Sequence, residues 1–258
     1  MTLLIAGCAL LGLVVGSFLN VVVWRLPRRE SLLRPGSHCP ACSAPVRPWD
    51  NVPVLSWLVL RARCRDCQAR ISPRYPIVEL LTAGVFAAVA LRLGTDAALP
   101  AFLYLAAAGM ALALIDLDVR RLPNVLTLPS YAVGGVLLTA AAVSKGTPAP
   151  LFRGLLGMAA LFALYFLLAL AYPAGMGLGD VKLAGVVGLY LGWLGWGPWA
   201  VGAFAAFLLG GLTGIALMAI GRAGRKSAIP FGPFMLAGAL IGVLAGAPLA
   251  SAYAAALG

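Results

Sequence analysis

"LFRGLLGMAALFALYFLLALAY" (151–172) and, just after it, "GMGLGDVKL" (175–183) decide how the chain is read. The first stretch carries one charge, Arg153, and is long enough to cross ~30 Å of hydrocarbon. The second sets Asp180, one of only eight acidic side chains, behind three glycines and ahead of another apolar run. Similar apolar runs recur along all 258 residues, which are 62% hydrophobic and 10% charged. A soluble domain carries roughly 25% charged residues. With a mean hydropathy of +0.98, the chain reads as an all-α polytopic membrane protein whose helices face membrane lipid.

About eight spans are expected, near 3–24, 76–93, 99–115, 125–143, 151–172, 181–194, 199–220 and 232–254. No basic residue precedes the first, so it lacks the charged leading region of a cleavable signal peptide. The net charge of +11 could suggest a nucleic-acid partner, but its distribution excludes one. The basic residues cluster at 25–74, at Arg120 and Arg121, and at Arg222, Arg225 and Lys226, without the interleaved aromatics of a single-strand binder. If the N-terminus lies outside, sixteen of the nineteen Lys and Arg fall in or beside cytoplasmic loops; the reverse orientation leaves three there. The charge rule therefore places both termini outside the cell.

Three parts are expected: a first transmembrane helix (1–24), a cytoplasmic loop module (25–75) and a helix bundle (76–258). The loop is too short to bury a sizeable core. It carries "CPAC" (39–42) and "CRDC" (64–67), and four thiolates at this spacing suit one structural zinc held by Cys39, Cys42, Cys64 and Cys67. Two disulfides, disfavoured on the reducing face, or idle thiols are the alternatives. His38 reads as a solvated loop residue and Cys8 as a small core residue.

Glu30, Asp50, Asp66 and Asp96 read as surface charges, whereas Glu79, Asp116, Asp118 and Asp180 lie at the ends of spans. Carboxylates at membrane depth are costly and point to function. Asp116 ends the third span and Asp180 opens the sixth, so both reach the same face although 64 residues separate them. Two neighbouring carboxylates share a proton, which suits hydrolysis by an aspartic dyad. Spacing alone leaves three readings open: a dyad; structural acids, with Asp180 capping its helix and Asp116 or Asp118 paired to Arg120 or Arg121; or an ion pathway.

At these residues the chain resembles the type IV prepilin peptidases, membrane aspartic proteases with a Gly-x-Gly-Asp motif. The resemblance runs through "GSFLNVVVWRLPR" (16–28), the two Cys pairs, "PRYPIVELLTA" (73–83), "IDLDVRRLPN" (115–124), "GLGDVKL" (177–183) and "IPFGPF" (229–234). It implies a catalytic pair of Asp180 and Asp116, the latter seven residues before Pro123, with Asp118 as the competitor. Gly177, Gly179, Glu79 and Lys182 are then expected on the substrate side. Glu79 would hold an ammonium group, and its structural alternative is an ion pair with Arg74 or another loop Arg. The implied substrate is a prepilin or pseudopilin with a short basic leader, cleaved at the cytoplasmic face. The four-Cys loop implies a second activity, N-methylation of the new N-terminus with S-adenosylmethionine; peptidase activity alone is the alternative. The residues give no oligomeric state.

Overall fold

The computed structural model describes residues 1–173, 175–222, 224 and 229–257. Arg225 and Lys226, part of the third basic cluster, lie outside the described residues. The chain divides into two compact units, Met1–Thr95 and Asp96–Gly258. Among the described residues it is helical, with two isolated β-bridges in place of any sheet.

In the first unit, α1 (Thr2–Arg25) and α3 (Arg74–Leu93) pack antiparallel along much of their lengths. Their contact is close because Gly12 and Gly16 present bare backbone to Ala83 and Glu79. Between them runs the loop, with one short helix, α2 (Leu55–Val59). No residue from 26 to 73 is buried, as expected of a segment too short to build a core. Polar bonds hold it instead. Arg25 donates to the carbonyls of Ser31 (3.0 Å) and Gly36 (3.3 Å). Arg65 forms a bidentate pair with Asp50 at 2.9 and 2.6 Å and holds that carboxyl below its usual range. Asp66 pairs with Arg47.

The second unit holds α4 (Leu99–Val119), α5 (Asn124–Lys145), α6 (Ala149–Ala171), α7 (Leu178–Leu194), α8 (Trp196–Ala219) and α9 (Gly232–Leu257). Among the described residues, seven helices of the whole chain are long and apolar enough to cross a membrane. The eighth, α7, has 17 residues and spans about 25 Å. It begins at Leu178, ahead of the expected 181, because Asp180 belongs to its first turn. Twelve of its residues are buried, so it is solvated by neighbouring helices and does not need the length of a lipid-facing span. α6 and α7 run antiparallel and touch backbone to backbone where Gly154 and Gly157 meet Leu189, Gly188 and Gly192.

The ends of the second unit are chemically distinct. At one end Lys145 pairs with Asp96 at 2.5 Å, and Arg153 donates to the carbonyls of Gly192 (2.7 Å) and Trp193 (2.6 Å) at the close of α7. Arg153 thus satisfies carbonyls that a helix end leaves without partners. The opposite end gathers the C-terminus of α4 and the N-termini of α5, α7 and α9.

A Cβ on Gly188 would overlap the Gly157 carbonyl, whereas one on Gly135 meets nothing within 4 Å. Gly188→Ala is therefore expected to destabilise the protein by about 1–3 kcal/mol, as overpacking does. Gly135→Ala should leave it near wild type. Thermal unfolding in detergent checks the difference.

Candidate active site

Asp116 sits in the last turn of α4, which closes where Arg120 enters a left-handed conformation (φ 53°) and donates its N–H to the Asp116 carbonyl at 2.8 Å. Asp116 is 5% exposed. Its Oδ2 accepts the backbone N–H of Gly232 at 3.0 Å, across 116 residues of chain. Gly232 opens α9, and the first N–H groups of a helix have no partner within it. A carboxylate placed there is favoured by both the hydrogen bond and the helix dipole. "IPFGPF" was legible as a motif, but only the fold shows that its glycine N–H meets Asp116.

Asp180 is in the first turn of α7 and is half-buried. Its Oδ2 accepts the Gly177 N–H at 3.1 Å, so the expected capping role is real, although the acid reaches back from the third helical position and is not itself the N-cap. Leu122 lies between the two acidic segments. A Cβ on Gly179 would stand 3.1 Å from its Cβ, and one on Gly232 would stand 3.2 Å from its Cδ2. Tyr165 of α6 is buried among Phe207 and Phe231.

Asp118 is exposed, whereas Asp116 is buried. Two residues on a helix diverge by about 200°, which separates them. Gly177 is exposed, Gly179 is half-buried, and Lys182 donates from Nζ to Asn124 Oδ1 at 3.0 Å. Sequence reading missed Leu122, Asn124, Tyr131 and Tyr165. None carries a charge, and their relevance comes from the packing of α5 and α6 against α7.

In the first unit, Glu79 is 7% exposed and its Oε2 accepts the N–H of Val54 at 2.7 Å. Val54 has φ 61° and ψ −49°, a conformation strained for a β-branched residue. Glu79 therefore anchors the start of α2.

The cysteines form one cluster. All four Sγ atoms lie within 4.8 Å of one another, and Cys39 and Cys67 are 3.7 Å apart. Four sulfurs tetrahedrally placed ~2.3 Å from a zinc stand ~3.8 Å apart, so the donor set fits this ion. The two knuckles repeat each other. Cys39 N–H bonds to Ala44 and Cys64 N–H to Ala69, with Ser43 and Gln68 both at φ 59°. Backbone N–H groups of Ala41 and Cys42 pull the Cys39 thiol down to about 6, toward the thiolate a metal needs. The His38 ring is engaged with the Gly36 carbonyl (3.1 Å), apart from this cluster.

Residues 10–93 match the bacterial peptidase A24 N-terminal domain, and residues 103–244 match the type IV leader peptidase family. A prepilin leader peptidase/N-methyltransferase of Stutzerimonas stutzeri is 33% identical over 271 residues, covering 95% of this chain and 92% of that protein. Another of the same description, from Aeromonas hydrophila, is 42% identical over 211 residues, covering 71% and 72%. A third, from Neisseria gonorrhoeae, is 37% identical over 213 residues, covering 71% and 73%. No solved structure matches the chain. The chain belongs to the type IV leader peptidase family.

Proposed function

We propose that this protein is a membrane aspartic endopeptidase that removes the short basic leader of a prepilin or pseudopilin at the cytoplasmic face and then N-methylates the new N-terminus. The observation that supports the peptidase reading is that Gly179, next to Asp180, and Gly232, bonded to Asp116, both lie against Leu122, with each carboxylate held by a glycine N–H. Asp116 and Asp180 act as the catalytic pair. One carboxylate takes a proton from water, and the resulting hydroxide forms a bond to the scissile carbonyl carbon. The protonated partner stabilises the carbonyl oxygen, and a proton then passes to the departing amine as the C–N bond breaks. At the end of the cycle the pair again holds one proton. Gly177 and Gly179 leave the backbone open to an extended substrate, and Lys182 stands on the substrate side. Both termini lie outside the cell and residues 25–75 inside it, following the charge rule.

Residues 25–75 form a module organised by a structural zinc on Cys39, Cys42, Cys64 and Cys67, and residues 76–258 form the peptidase bundle. The ion supplies the order that the coreless loop cannot obtain from burial. S-adenosylmethionine supplies the methyl group, and the relatives' second activity supports this half of the reading. Glu79 offers negative charge for the leader's ammonium groups or for the freed α-amine.

Co-expression with a candidate prepilin, followed by mass spectrometry of the product's N-terminus, reports cleavage and methylation together. Asp116→Asn and Asp180→Asn should each reduce cleavage by about 10⁴-fold or more, with insertion unchanged. Asp118→Asn should retain much activity; a dead Asp118 variant beside an active Asp116 variant reverses the assignment. Metal analysis of purified protein should give about one zinc per chain, lost when Cys39 and Cys42 become Ser. Methylation should fail in that variant before cleavage does. Glu79→Gln keeps an acceptor for the Val54 N–H while removing charge. It should melt near wild type and lose methylation or substrate handling, whereas normal processing with lower stability assigns Glu79 to structure alone.

A further inference from the structure

We propose that Asn124, Tyr131 and Gly185 form a clamp that fixes α7 against α5 and so positions Asp180 for cleavage, an inference that rests on the dyad reading above. The approach to Asp180 is glycine-rich, and both Gly177, whose N–H the carboxylate accepts, and Leu178 are exposed. The position of the acid depends on what grips α7 from Gly179 onward.

Close to Asp180 three contacts do so, and all come from the segment that follows Asp116. Leu122 packs on Gly179. Asn124 Oδ1 accepts the Lys182 ammonium at 3.0 Å. The Tyr131 hydroxyl donates to the Lys182 carbonyl at 2.6 Å. That carbonyl lies inside α7, and a carbonyl has a second lone pair, so the phenol binds without opening the helix. Gly185 makes this possible, because a Cβ there would overlap the Tyr131 hydroxyl. The phenol thus reaches helix backbone through a gap where a side chain is missing.

Lys182 is two residues, or about 3 Å of helix rise, beyond Asp180. Asn124 opens α5 eight residues after Asp116. The clamp therefore ties the acid of α7 to the segment that carries the other acid. Tyr131, Asn124 and Gly185 are positioning residues: they act on the geometry between the carboxylates and touch neither carboxylate.

The test is steady-state cleavage of a purified prepilin by the full-length protein in proteoliposomes. Tyr131→Phe removes one oxygen and keeps the ring. It should lower kcat about ten- to a hundredfold with KM within about twofold, because small displacements of a catalytic group cost rates of this order. Gly185→Ala, which displaces the same hydroxyl by a different route, should give the same split. The double variant should be no worse than the poorer single one, since both remove one interaction. Asn124→Ala should also lower kcat, while Asn124→Asp keeps an acceptor for Lys182 and retains activity. Wild-type kcat in Tyr131→Phe, multiplicative losses in the double variant, or a loss confined to KM or to thermal stability overturns the clamp. Wild-type cleavage that survives Asp116→Asn overturns the dyad reading and the clamp with it.

Discussion

A carboxylate taken out of water must find a donor, and Asp116 finds one in the backbone N–H of Gly232 at 3.0 Å. That bond joins the C-terminus of α4 to the N-terminus of α9, where the carboxylate meets the positive end of the α9 dipole. With it, the start of α9 becomes a fixed wall of the site. Leu122 fills the remaining space against Gly232 and Gly179, which draws α7 and Asp180 to the same place.

The rest of the second unit keeps a short helix in that position. α7 is surrounded by protein along most of its length, so its 17 residues suffice. Bare backbone contacts with α6 and the Arg153 bonds to Gly192 and Trp193 hold its far end, and Tyr131 and Asn124 hold its near end. Dispersion and hydrogen bonding do this work, because lipid gives no hydrophobic drive between helices. In the first unit the balance differs. The loop has no buried residue, and its order comes from paired charges, the Glu79 anchor at Val54 and a cysteine cluster with the dimensions of a zinc site.

Much of this was legible in the sequence. Apolar runs located the long helices to within a few residues, since length and hydropathy report directly on the need to cross lipid. The Cys-x-x-Cys pairs announced the cluster, and membrane depth singled out the acids. What hydropathy cannot report is which helix meets which, because a lipid-facing leucine and a protein-facing one look alike. The pairing of α3 with α1 and the Gly232 N–H on Asp116 therefore came from the fold. So did the gap at Gly185, where the signal is a missing side chain. The start of α7 was read three residues late, since a carboxylate in the first turn looks like loop until its bond to Gly177 shows it to be part of the helix.

The central claim is that Asp116 and Asp180 work as one unit holding a single proton. The pH dependence of kcat/KM for prepilin cleavage by purified protein tests this most directly. Loss of the first proton should switch the pair on and loss of the second should switch it off, giving a bell whose two apparent pKa values belong to the pair. A profile with one limb only, flat on the other side across the range in which the protein stays folded, would contradict it.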